Sequence, residues 1–316
     1  MRKALWLLGF GLALLLAACG GQGGTGGGGG NGGGGGGNGE APLPGAGEVW
    51  GSPEVTLIDV TYGANRFVAV GDDGDILTFP DGQDWQVVNS GTSRDLLGVT
   101  FGGNRFVAVG RGGTILTSSD GETWQFANSG TTTNLVDVAY GANRFVAVGV
   151  DGVILTSQDG QSWRPADSGT TQPLFGVTYS GNQFVVVGSG GTILTSPDGQ
   201  TWQPASSGTS VTLLRVAFGG GRFVAVGYDG TILTSQDGQS WQRVNSVTTA
   251  HLTGVAYGGG RFVAVGDGSA ILTSLDGQSW QPANLGTTEW LNDVTYGAGR
   301  FVAVGSTILV SPPPSN

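Results

Sequence analysis

The chain is poor in the residues that carry most enzyme and metal chemistry. Its 316 residues include one Cys, one His and one Lys. A lone Cys19 excludes an internal disulfide and a thiolate metal cluster. A lone His251 excludes a His-rich metal site and leaves only one imidazole for any triad. Basic residues are scarce as well: 13 against 23 acidic, a formal net charge of −10. That balance suits neither nucleic acid nor anionic headgroups. No apolar run after the first eighteen residues is long enough to cross a bilayer. What is abundant is Gly, with 63 copies. Val, Phe, Ile, Thr and Trp lie between the glycines in short runs without a helical period.

Arg2 and Lys3, the apolar stretch Ala4 to Leu16, and Leu16-Ala17-Ala18-Cys19 form a secretory signal. The last four residues resemble a bacterial lipobox. That resemblance implies cleavage after residue 18 and acylation of Cys19, giving a stable anchor through two or three chains. Loss of Arg2 and Lys3 leaves 11 basic against 23 acidic residues, or −12. With Cys19 lipidated, the domain holds no thiol and depends on packing for stability. Residues 20–39 contain sixteen Gly with Gln22, Thr25, Asn31 and Asn38. Such a segment buries nothing and acts as a tether with a reach of about 25 Å. The expected organisation is a signal at 1–18, lipidated Cys and tether at 19–47, a folded domain at 48–311 and a tail at 312–316. The expected location is the cell envelope, on the outer membrane or the outer leaflet of the plasma membrane.

A 39-residue unit recurs seven times. Phe67, Phe106, Phe145, Phe184, Phe223, Phe262 and Phe301 sit in (R/Q)FV(A/V)VG hexapeptides at that spacing. In residues 96–131 four β-rich runs are separated by GGN, RGG, SDGE and NSGT, all turn chemistry. The second run is apolar on both faces, which requires a sheet against each face. Radially stacked four-stranded blades provide this. The last repeat lacks its Trp-bearing fourth strand, while Val49-Trp50 precedes the first repeat unmatched. The expected fold is an all-β, seven-bladed propeller of four-stranded blades, closed by the N-terminal strand. Trp50 is expected to fill the Trp site of the last blade.

The turn before the fourth strand reads SSDGETW (118–124), SQDGQSW (157–163), SPDGQTW (196–202), SQDGQSW (235–241) and SLDGQSW (274–280). It resembles the Asp-box, the bacterial neuraminidase repeat, one residue shorter. With VAVGxxGTILTSxDG, it looks most like Asp-box propellers of the photosystem II assembly-factor type and their non-photosynthetic bacterial relatives. The resemblance spans about 48–311 and specifies fold, not activity. The first box departs (FPDGQDW) and the seventh repeat has none. Physically, Asp120 and its equivalents accept backbone N–H groups of their own turn, Gly121 allows a positive φ, and Trp124 fills the space between sheets.

The Arg before each FV strand (Arg66, Arg105, Arg144, Arg222, Arg261, Arg300, with Gln183 in the fourth unit) could suggest a sialidase carboxylate clamp. Identical offsets spread them around a ring, so they are expected to pack loops. No acid/base pair stands out, and no cofactor or metal is expected. Asp72, Asp73 and Asp75 lack a calcium-loop pattern and read as a solvated turn. Two loop sets open on one face: those between second and third strands, and those ending in Asp95, Asn134, Pro173, Thr212, His251 and Trp290. Internal variation is expected to concentrate there. The candidate ligand-binding residues are Arg111, Tyr228, Asp229, His251, Glu289 and Trp290, of the aromatic and charged types common in binding hot spots. Trp290 breaks its repeat position, where a packing role would ask for one residue throughout. The functional reading is a monomeric, non-enzymatic binding scaffold for an envelope protein or glycan, touching the membrane only through its lipid. The alternatives are a sialidase-like glycan-processing enzyme and an envelope assembly factor.

Overall fold

Each repeat folds into four antiparallel strands that become one blade. A computed structural model describes residues 48–50, 55–79, 85–283 and 288–312. The signal, Cys19, the tether, most of the first box turn and the last four residues lie outside the described residues. Blade 2 shows the plan. Its strands are Leu96–Gly102 (inner), Arg105–Gly110 (second), Ile115–Ser118 (third) and Gln125–Ala127 (outer). Among the described residues there are seven such four-stranded sheets. Their inner strands begin at Leu57, Leu96, Leu135, Leu174, Leu213, Leu252 and Leu291. Each inner strand touches the inner strand of the next blade, and that of blade 7 touches that of blade 1. The ring is closed, and the inner strands line its axis.

Blade 7 takes its outer strand, Glu48–Trp50, from the N-terminal side of the domain. It pairs antiparallel with Ile308–Val310. The closure expected from the two unmatched ends is therefore present. One detail differs. Trp50 pairs with Ile308, as Ala127 pairs with Ile115 in blade 2. By register Trp50 matches Ala127, not Trp124. The repeat's Trp residues also stand just before the outer strands and not inside them. Identity suggested an equivalence that backbone pairing does not support.

Among the described residues the core consists of seven apolar clusters, each shared by two neighbouring blades. Between blades 2 and 3, Val107, Val109 and Ile115 meet Leu135, Phe145, Leu155 and Trp163. Both faces of the FVAV strand are used in this way, as its sequence requires. Each fully buried Val or Phe contributes roughly 1.5–3 kcal/mol. Trp163, Trp202, Trp241 and Trp280 are buried, with rings 6.3–6.4 Å from the Phe of their own second strand. Their role is packing. Gly at the end of an inner strand leaves room for an aromatic ring. A Cβ at Gly102 would run into the Tyr140 ring of the next blade.

The box turn behaves as its chemistry suggests. Asp120 Oδ1 accepts the backbone N–H groups of Glu122 and Thr123, each at 2.8 Å, and the Ser118 hydroxyl at 2.9 Å. Gly121 sits at φ +78°. These donors hold the carboxyls of Asp120 and Asp159 down at about 2, the backbone N–H groups being the larger cause. The Arg that opens the second strand then joins this turn to the preceding blade. Arg66 Nη1 lies 2.6 Å from Glu122 Oε1. Gln183 Nε2 donates to the Asp237 carbonyl. Blades 1 and 4 thus grip the box turns of blades 2 and 5, and these side chains stand at separate blade interfaces instead of converging as a clamp.

Candidate binding rim

The turn between second and third strands is a single 3₁₀ turn in blades 1 to 6. Two consecutive residues in each have positive φ, such as Gly112 and Gly113 at +62° and +69°, or Asp229 and Gly230 at +53° and +62°. The residue opening each turn donates its N–H to the carbonyl of the residue preceding the inner strand of its own blade. The pairs include Arg111 to Asp95, Tyr228 to Thr212, Asp267 to His251 and Ser306 to Trp290. The two loop sets therefore share one end of the ring, as expected, and form a rim.

A second layer of bonds ties the rim from blade to blade. Asp95 Oδ1 accepts the N–H of Asp73, Asn134 Oδ1 that of Gly112, and His251 Nδ1 that of Asp229, at 3.1, 2.8 and 3.0 Å. Three chemically different side chains at one repeat position thus do one structural task. Variation at that position is not by itself a mark of binding. This corrects the premise that packing would demand a single residue there.

The six candidate residues divide into three places. Tyr228, Asp229 and His251 form a contact cluster where blade 5 meets blade 6. The Tyr228 and His251 rings are 4.5 Å apart, and His251 Nδ1 is 3.8 Å from Asp229 Oδ1. Because Nδ1 accepts a backbone N–H, the neutral imidazole carries its proton on Nε2. Asp267 joins from the next turn. Burial raises its carboxyl above the usual range, and His251 opposes the rise. Burial, and secondarily Asp267, raises the Tyr228 phenol. Glu289 and Trp290 stand together at the start of blade 7. There Ser306 donates to Glu289 Oε2 at 3.0 Å, and Trp290 is 43 % exposed. Arg111, in blade 2, is held by Asp95 at 2.5 Å.

Neither of two surface cavities includes a candidate residue. One, about 440 Å³, is lined by Asp151, Trp163, Pro165 and Ser168. The other, about 260 Å³, lies by the box turns at Arg222, Asp237 and Gln278. Among the described residues no group of three or more His, Cys, Asp or Glu is arranged to hold a metal.

Variation is not confined to the rim, contrary to expectation. The third residue of the inner strands runs Asp59, Gly98, Asp137, Gly176, Arg215, Gly254, Asp293. A register shift just before it in every blade marks a bulge. Asp59, Asp137 and Asp293 are all buried. Asp59 accepts from Val60 and, across the blade boundary, from Val99 at 2.6 Å. Asp137 does the same with Val138 and Val177. Arg215 donates to the carbonyls of Phe175 and Leu214, and its Nε lies 3.9 Å from Asp293 Oδ1. A Cβ at Gly98 or Gly254 would strike Asp137 or Asp293. The 39-residue spacing of this series was visible in the sequence, hidden by the change of residue type.

Comparison with known proteins agrees with this geometry at the level of fold. No protein-family model matches the chain, and no curated protein matches it. Among solved structures it is similar to YCF48 from Cyanidioschyzon merolae, at 19 % identity and TM-score 0.69, covering 86 % of this chain and 99 % of that one. A structure of YCF48 bound to a D1 peptide gives 20 %, 0.70, 86 % and 98 %. The WD40 repeats of RRP9 give 10 %, 0.71, 86 % and 99 %. The shape is that of a seven-bladed propeller resembling YCF48 at low identity.

Proposed function

We propose that the protein is a non-catalytic, lipid-anchored cell-envelope propeller whose rim binds a protein or a glycan. The carrying observation is the rim itself: one backbone turn, held by the same hydrogen bond in blade after blade, opens with Asp72, Arg111, Val150, Ser189, Tyr228 and Asp267 in turn. Loops of that kind on a rigid frame are where recognition commonly resides. The Tyr228–His251 stack and the half-exposed Trp290 supply aromatic faces for a sugar ring or a partner side chain. Acylation at Cys19 would keep the domain at the membrane, on the outer membrane or the outer leaflet of the plasma membrane. A monomer suffices, because ring closure leaves no blade unfinished.

A second reading is a partner-binding assembly factor. Similarity in fold to YCF48, one structure of which holds a D1 peptide, favours it. Both readings are tested by capturing envelope proteins on the mature domain beside a glycan array. Tyr228→Ala and Trp290→Ala serve as controls. Specific capture lost in these variants at unchanged melting temperature supports the rim. Capture unaffected by both, or hydrolysis of an arrayed glycan, overturns the reading. Cys19→Ser should abolish fatty-acid labelling and release the protein, and unchanged membrane association would defeat the anchor.

A further inference from the structure

The axial series of charges closes unevenly. Around the ring, glycine separates Asp59 from Asp137, Asp137 from Arg215, and Arg215 from Asp293. Between Asp293 of blade 7 and Asp59 of blade 1 there is none. These two carboxyls meet at the boundary that joins the first and last blades. Among the described residues, the neighbouring contacts at this level are uncharged. Asn292 donates to the Leu57 carbonyl at 2.7 Å, and Val302, Val304 and Ile308 pack on Leu57, Phe67 and Phe79. The remaining inner strands offer Asp137, Arg215 and three glycines at this level. One guanidinium thus faces three buried carboxyls. It is 3.9 Å from Asp293, and its Nε has no hydrogen-bond partner.

Asp59 accepts the backbone N–H groups of Val60 and Val99. Asp293 and Asp59 share a side-chain hydrogen bond, which two carboxyls can form only with a proton between them. Burial, the Asp59 charge and that bond hold the Asp293 carboxyl well above the usual carboxylate range, with Arg215 opposing. We propose that a proton held between Asp293 and Asp59 latches blade 7 to blade 1, so that the ring is tightest in mildly acidic solution and its closing boundary loosens as the solution becomes alkaline.

The direction follows from linkage. A carboxyl raised on folding binds its proton more tightly in the native state. Its stabilisation is complete below the unfolded value near 4 and is lost as pH rises through the folded value. Each retained proton makes the unfolding constant rise by up to about tenfold per pH unit inside that window. Asp137, raised to about 7 chiefly by burial, contributes in the same sense but two blades away.

The test is thermal and chemical unfolding of the full chain from pH 4.5 to 8.5, with Asp293→Asn and Asp137→Asn. Asn at 293 keeps a donor toward Asp59 without a charge to develop. The wild type should lose stability as pH rises. Asp293→Asn should remove part of that slope and be the more stable protein at pH 8. Amide exchange, corrected for its intrinsic pH dependence, should quicken at pH 8 in the strands Glu48–Trp50, Leu57–Gly63 and Leu291–Gly297 before other blades. If Asp293→Asn fails to fold, wild-type exchange decides alone. An unchanged slope in Asp293→Asn, or exchange that quickens equally in all blades, overturns the latch.

Discussion

The outer box turns and the axial belt solve one problem, joining blade to blade, with opposite chemistry. At the periphery the solution is copied. Asp120, Asp159, Asp198, Asp237 and Asp276 sit in the same turn, and all five carboxyls are held below the ordinary range, with backbone N–H groups prominent among the causes. On the axis the solution changes at each blade. There Asp137 and Asp293 are pushed up, chiefly by burial. An exposed turn can afford an anion wherever N–H groups surround it. In a buried belt with three carboxyls against one guanidinium, burial favours the neutral acid at Asp137 and Asp293.

This contrast can be broken from either side. The largest effect is expected from Arg215→Met, which leaves the buried carboxyls without their cation. A loss of about 3–5 kcal/mol is expected near pH 8 and a smaller loss at pH 5, where protonation compensates. Equal losses at both pH values would mean that the guanidinium acts through packing alone. Deleting residues 48–50 removes the closing strand and should also lower the melting point substantially. By register it costs strand pairing and leaves the repeat's Trp sites as they were. A truncated domain melting at the wild-type temperature would contradict the observed pairing.

Next comes Asp159→Ala at the periphery, expected to cost about 1 kcal/mol through its lost turn hydrogen bonds. Its pH signature should be the reverse of the belt's. A lowered carboxyl contributes stability above pH 4 that disappears as pH falls toward about 2. Asp159→Ala should therefore match the wild type more closely in acid than at neutral pH. The smallest effect is expected from Arg66→Met. Its partner Glu122 is half-exposed, so the pair is worth at most about 1 kcal/mol and should weaken with salt. Urea unfolding at low and high ionic strength separates that outcome from a packing role.

Much of the fold was legible because its determinants are identical in each repeat. The FVAV strand, apolar on both faces, required two neighbours. The unmatched ends required closure, and Ser-x-Asp-Gly required its turn. What escaped were features whose residues change while their geometry stays. The belt is one, since Asp, Gly and Arg at one offset do not look alike until the bulge places them on one level. The caps from Asp95, Asn134 and His251 are another, since a carboxylate, an amide and an imidazole share only a lone pair. Trp50 misled in the opposite way, being the same residue at a different register. For the rim, the sequence located the face and the loop sets. Contact between Tyr228 and His251, 23 positions apart, became visible only once adjacent blades were side by side.

Seven is an odd number, and a two-letter alternation cannot run around an odd ring without one repeated letter. Charge and glycine alternate along the axis until Asp293 meets Asp59. The mismatch is thus a matter of parity, and no choice of residue within a strictly alternating scheme could remove it. A sibling chain with one repeat more or one fewer could alternate perfectly and would have no such junction. Adding or removing a single 39-residue unit would then change how the ring responds to protons as well as its diameter.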